Sequence, residues 1–150
     1  MARMSITFDG FEQLAEDIDS MLGSAGLKKA VDAALTDTGT FVQEQVNQAA
    51  LPYSTKSAAH KYANGDMYRA LKKNNPVIWV SSTVAEVSVG FDLSAKGGFH
   101  SIFMMYGTPR IQKDQKLYNS IFGSATKKEV AKRQEDIMMN YMHFGADVGA

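Results

Sequence analysis

The chain has 150 residues, 45% hydrophobic and 21% charged, which is about one domain's worth and enough apolar matter for a core, so a disordered segment is excluded. It holds no cysteine, which excludes disulfides, thiolate nucleophiles and cysteine-based zinc sites and fits synthesis in a reducing cytoplasm. Lys plus Arg and Asp plus Glu are 16 each, so the net charge is zero; the basic excess of a typical nucleic-acid binder is missing, and little charge keeps copies apart.

Residues 5–8 are predicted to form a short strand with Ile6 and Phe8 on one face, broken by Asp9-Gly10. From Phe11 the period becomes helical. Phe11, Leu14, Ala15, Ile18, Met21 and Leu22 share a face, with Glu12, Glu16, Asp17 and Asp19 mostly opposite. Those acids cluster where the helix macrodipole favours them, and they read as a solvated face. Gly23 and Gly26 flank the stop. A longer helix then runs from Leu27 to about Ala49, with Gly39 inside it at a cost of about 1 kcal/mol relative to Ala, which points to a close neighbour. Leu51-Pro52 ends it.

Residues 53–65 lack apolar periodicity and are predicted to be a long loop, of a length that is usually functional. Residues 66–73 add a short helix. After Asn74-Asn75-Pro76, residues 77–81 and 85–91 are two strands of an antiparallel hairpin. Residues 93–99, with Gly97-Gly98, are expected to be a flexible link. Residues 102–106 are an apolar run, strand or helical turn, stopped by Gly107-Thr108-Pro109.

Leu117, Tyr118, Ile121 and Phe122 predict a short helix ending at Gly123. Thr126-Lys127-Lys128-Glu129 has the form of a capping box. Behind it Val130, Gln134, Ile137, Met138, Tyr141 and Met142 make a helical stripe to about Phe144, with a frayed tail at 145–150. The predicted fold is α+β, one domain over 1–150. Its small, mainly antiparallel β-sheet of 3–4 strands packs against a long N-terminal helix and a C-terminal helix.

No constellation with catalytic chemistry is present. His60, His100 and His143 are scattered, without metal-ligand spacing. Ser124-Ala125-Thr126-Lys127 matches a serine acyl-transferase tetrad of residues, but its companion elements are missing, and no phosphate-binding glycine loop or nucleophile elbow occurs. The chain is expected not to be an enzyme and to need no cofactor, metal or small-molecule substrate. Two basic clusters, Lys72-Lys73 and Lys127, Lys128, Lys132 with Arg133, read as solvated faces. They are the basis of the alternative function, a nucleic-acid-binding accessory protein. Trp79, Phe91 and Met104-Met105 are expected in the core. Nine Met residues leave more apolar surface near the C-terminus than one core can take. Met1-Ala2-Arg3-Met4-Ser5 lacks the apolar run of a signal peptide, and no stretch approaches the roughly 20 apolar residues of a membrane span, so a soluble protein without a membrane partner is expected.

Several phrases in order resemble the siphophage head–tail component family, also called tail-completion or head–tail joining proteins. A strand leads into Gly10-Phe11-Glu12-Gln13-Leu14, and a long helix and loop lead to Asn64-Gly65-Asp66-Met67-Tyr68-Arg69-Ala70-Leu71. A hairpin ends on Val87-Ser88-Val89-Gly90, and Phe103-Met104-Met105-Tyr106-Gly107-Thr108-Pro109 matches the family's most specific phrase. The likeness spans residues 4–144. It departs from the family pattern at the long loop after Leu51-Pro52 and at Asp114-Gln115-Lys116-Leu117-Tyr118-Asn119. The resemblance implies a structural virion protein of a tailed bacteriophage, assembled in the host cytoplasm. Such a protein is an adaptor at the head–tail interface or a tail-completion ring, often of six copies, and its partners are copies of itself and the head connector or tail tube. The contacts are expected in the loops, at Tyr53, Thr55, Lys56, His60, Tyr62, Tyr106, Thr108, Arg110, Lys113 and Lys116.

Overall fold

The computed structural model of the chain describes residues 5–7, 12–54, 65–81 and 84–144, in backbone alone at 5–7, 12–14, 21, 143 and 144. Its elements run β1 (Ser5–Thr7), α1 (Glu12–Ala50), a 3-10 turn (Leu51–Tyr53), α2 (Asp66–Arg69), β2 (Val77–Trp79), β3 (Ala85–Ser88), α3 (His100–Tyr106), α4 (Gln115–Phe122) and α5 (Ser124–Phe144). The mixed helix-and-strand class, the long N-terminal helix and the antiparallel sheet agree with the sequence; the sheet has three strands, each shorter than expected. The proposed frayed tail and most of the long loop lie outside the described residues.

The break predicted near Gly23 is present. Gly23 alone within α1 leaves helical geometry, at φ 79° and ψ 175°, and the helix resumes at once, so Gly26 lies inside it. Positive φ is costly for any residue with a Cβ, which is why glycine stands at the break.

The sheet order is β1-β3-β2, with both pairings antiparallel. Val77 pairs with Val87, Ile78 with Glu86 and Trp79 with Ala85, and the Val80 N–H donates to the Val84 carbonyl at 2.8 Å to close the hairpin. Alternation buries Ala85 and Val87 on one face and leaves Ile78, Val80 and Val84 on the other, each about half exposed. Both strands stop earlier than predicted. For β3 the reason is Gly90, whose φ of 99° turns the chain out of the strand. Residues 102–106 give no further strand. They belong to α3, where Phe103 and Tyr106, with Phe99 at the N-cap, line one face and buried Ser101 and Met105 the other.

By its contacts the chain divides into two compact units. Unit 1 is Met1–Thr40, Asn75–Ser88 and Lys128–Ala150; unit 2 is Phe41–Asn74 and Val89–Lys127. Unit 1 has a continuous apolar core. Ile18, Ala30, Val31 and Leu35 of α1 meet Ala85 and Val87 of β3 and Met138 and Tyr141 of α5, with Val77, Trp79 and Ile137 packed against them. Full burial of each large side chain contributes about 1.5–3 kcal/mol. Gly39 has the close neighbour its presence in a helix suggested: a Cβ there would sit 2.9 Å from Val87 Cγ2. Trp79 is half-buried, and its Nε1–H donates to Asp32 Oδ1 at 2.9 Å. Arg133 bridges Glu129 and Asp37, at 3.0 and 3.3 Å.

Unit 2 buries Val42, Val46, Leu71, Val89, Phe91, Met105 and Leu117, and fastens its irregular chain with polar groups. The buried amide of Gln43 accepts from the Gly90 N–H at 2.7 Å and donates to the Gly90 carbonyl at 3.1 Å, as a paired strand would. Lys72 N–H donates to the same carbonyl, Asp92 N–H donates to Ala70, and Leu71 bridges Phe91. Residues 93–99 were expected to be a flexible link. They form successive hydrogen-bonded turns, Ala95 to Asp92 and Gly98 to Ala95, with the Asp92 carboxylate accepting from the Ser94 N–H and hydroxyl. Those bonds favour the ionised form and hold the Asp92 carboxyl below the usual carboxylate range.

The capping box at Thr126 does not form. Helix α5 begins at Ser124, because the extended Gly123 lets a new helix start directly after α4; Thr126 is inside it, and its hydroxyl donates to the Asn119 carbonyl at 3.1 Å.

Candidate assembly surface

Six of the ten residues predicted to make contacts lie in described parts of unit 2: Tyr53, Tyr106, Thr108, Arg110, Lys113 and Lys116. Thr55, Lys56, His60 and Tyr62 lie outside the described residues. Around the six, the chain from α3 to α4 builds one tightly held loop.

Its entry is fixed by Gly107, which ends α3 at φ 77° while its N–H donates to the Phe103 carbonyl at 2.8 Å. A Cβ at Gly107 would stand 3.1 Å from the Lys113 backbone nitrogen, so glycine permits both the torsion and the close passage of the returning chain. Thr108 and Ile111 exchange backbone hydrogen bonds, at 2.8 and 3.2 Å, around Pro109 and Arg110. The Thr108 hydroxyl oxygen accepts from the N–H groups of Arg110 and Ile111, at 3.2 and 3.0 Å. This is a side-chain-braced turn of the kind Thr and Pro favour.

Asp114 fixes the exit. Its N–H donates to the Met104 carbonyl at 2.7 Å, tying the loop to α3. Its carboxylate caps α4 by accepting from Leu117 N–H at 3.0 Å and takes a second bond, at 2.5 Å, from the Tyr53 hydroxyl. Burial, then the Asp114 carboxylate, push the Tyr53 hydroxyl well above its ordinary value. Tyr53 is therefore a correction: at 4% exposure it is a buried anchor for this loop and is not available to a partner.

The outward side is aromatic and basic. Phe99, Phe103 and Tyr106 are 48, 39 and 49% exposed and share one face of α3. The Phe99 and Phe103 rings meet edge to face at 5.6 Å, and Tyr106 packs on Tyr118 and Phe122 at 5.8 and 6.2 Å. Lys113 Nζ sits 3.6 Å from the Tyr118 ring centroid, and Arg110 and Lys116 are exposed beside them in sequence. Thr108 is half-buried, and its hydroxyl is spent inside the turn.

Sequence reasoning missed Asp114, Phe99 and Phe103. Two signals were there to be read: Asp114 stands three residues before Leu117, a capping spacing, and 99, 103 and 106 are helically spaced. At the edge of the long loop, Asp66 pairs with Arg69 and, at 3.6 Å, with Lys96, and its carboxyl is held below the usual range chiefly by Arg69.

Among the described residues no group of three His, Asp or Glu could hold a metal ion, and no helix is long and apolar enough to cross a membrane. His100 is exposed with its ring against Phe103; His60 and the His143 side chain lie outside the described set. Set beside protein-family models, curated proteins and solved structures, the chain matches none of them.

Proposed function

We propose that the protein is a structural virion component of a tailed bacteriophage, an adaptor at the head–tail joint or a tail-completion ring that acts by assembling and not by catalysis. The reading starts from the ordered phrases of the sequence, above all Phe103–Pro109. The observation that carries it is the loop those residues open. Four hydrogen-bonded anchors, at Gly107, Thr108, Asp114 and Tyr53, hold it, while Tyr106, Arg110, Lys113 and Lys116 point the sequence's aromatic and basic chemistry outward. A prearranged loop loses little conformational entropy on docking, which suits a subunit that must bind at a set angle. Large exposed aromatics on one helix face are the usual mark of a protein contact.

Electron microscopy of lysates from the parent phage with this gene interrupted tests the proposal. Filled heads beside separate tails are expected; normal infectious particles would sink it. The second reading, a nucleic-acid-binding accessory protein, is favoured by the exposure of Lys127, Lys128 and Lys132 on successive turns of α5. It requires retention on DNA that falls steeply with salt and is lost when those lysines are replaced.

A further inference from the structure

Strand β2 stands at the rim of the sheet order β1-β3-β2, so one of its backbone edges faces away from the sheet. The register fixes which groups lie on that edge. Opposed residues of an antiparallel pair alternate between hydrogen-bonded and non-hydrogen-bonded. The Val80 N–H donates to the Val84 carbonyl at 2.8 Å, so the pair two residues back, Ile78 with Glu86, is a bonded one. Val77 and Trp79 alternate with it and aim their N–H and carbonyl groups outward. Among the described residues no backbone group bonds to either of them there. Strand edges are commonly blunted by a charged side chain, an internal proline or a bulge. β2 has none of these: residues 77–84 carry no charge, Pro76 precedes the strand, and the register from Val77–Val87 to Trp79–Ala85 is unbroken. The edge is also held in place, because Trp79 is tied to α1 by its bond to Asp32, with Lys28 Nζ 5.5 Å from the ring centroid. Beside it, on the outer sheet face, Ile78, Val80 and Val84 are 51, 62 and 48% exposed.

We propose that this edge takes up an extended segment of a partner protein as a further antiparallel strand, the sense of both existing pairings. The segment's main chain bonds to Val77 and Trp79, and its alternate side chains, set opposite Ile78 and two residues to either side, extend the apolar outer face. The occupant is therefore apolar at alternate positions, and it is flanked by Lys or Arg. Charge selects the flanks. Unit 1 carries six Lys or Arg against twelve Asp or Glu, a formal −6, and Glu86 lies opposite Ile78 on the same face. A basic segment is drawn to such a unit, whereas the β2 edge of a second copy would bring an equally acidic unit with it and be repelled. β2 is three residues long, which confines the contact to a short segment. The inference goes beyond the assembly reading and does not depend on it, because it concerns another surface and another chemistry, that of the backbone.

The test is amide hydrogen exchange of the full chain, read by NMR, with and without an excess of the capped peptide Lys-Val-Thr-Val-Thr-Val-Lys. Without peptide, the Val77 and Trp79 amides should exchange as exposed groups while those of Ile78 and Val80 are protected by β3. Peptide should slow Val77 and Trp79 at least about tenfold. The same peptide methylated on both threonine nitrogens, which face Val77 and Trp79 and then have no proton to donate, should leave them unprotected. Ile78→Lys with Val80→Lys, both at solvent-facing positions, should weaken peptide binding at least about tenfold, with circular dichroism confirming the fold. Binding should also weaken between about 50 mM and about 500 mM salt. No added protection in excess peptide, or equal protection by the methylated peptide, would overturn the inference. So would Val77 and Trp79 amides already protected in the dilute chain, which would mean that the chain covers its own edge. Protection that grows with chain concentration alone would overturn it as well and give the edge to a second copy.

Discussion

In unit 1 the buried positions of α1, β3 and α5 are apolar, Thr38 and Gln134 excepted, and recur at the periods of their elements. In unit 2 the buried side chains of Gln43, Tyr53 and Ser101 carry hydrogen bonds that hold irregular chain. Unit 1 is stabilised by area removed from water, a non-directional effect that tolerates small shifts. Unit 2 depends on donors and acceptors meeting within tenths of an ångström, and an orphaned partner there costs more than the bond contributed. The comparison teaches where rigidity is placed: the polar fastenings cluster around the loop that presents the candidate surface.

Four substitutions probe that contrast by urea denaturation, from the largest expected effect to the smallest. Met138→Ala removes a fully buried side chain from the unit 1 core and should cost about 2–5 kcal/mol; a loss under 1 would mean that core can collapse around the gap. Gln43→Leu keeps the volume but strands the Gly90 N–H, and about 1–3 kcal/mol should be lost despite the gain in apolar character. If the Leu variant were as stable as the parent, polar fastening would not be what holds unit 2.

Tyr53→Phe should cost about 1 kcal/mol at neutral pH and change the alkaline limb of the stability profile. The folded state raises the hydroxyl's pKa, so its contribution is complete below the unfolded value near 10 and is lost as pH rises towards the folded one. The parent should therefore lose stability above about pH 10 more steeply than the Phe variant. Parallel curves would show that the Tyr53–Asp114 bond does not persist in solution. Arg133→Ala, which breaks half-exposed ion pairs with Glu129 and Asp37, should cost under about 1 kcal/mol and still less in high salt.

The same contrast explains what could be read from the sequence. The stripe ending in Ile137, Met138 and Tyr141, the break at Gly23 and the close neighbour of Gly39 all followed from periodicity or from the cost of a misplaced glycine, and all concern unit 1. What escaped was mostly in unit 2. A Gln buried against a backbone 47 residues away has no local pattern, so the fastening of Gly90 beyond the end of β3 could not be read. Tyr53 was placed among partner contacts because its loop is polar; its burial depends on Asp114, 61 residues on. Residues 102–106 were ambiguous because five apolar residues fit either period. Within the candidate surface the loop opened by Gly107-Thr108-Pro109 was legible, while the anchors beneath it were not.

Gly39 and Val87 touch so closely that α1 and β3 divide one fixed volume between two positions distant in the chain. In the descent of this sequence that makes them a single heritable unit: a methyl gained at 39 is tolerated only with methyls surrendered at 87. Correlated exchange at this pair, small for large and large for small, is the trace the contact should leave among the chain's relatives.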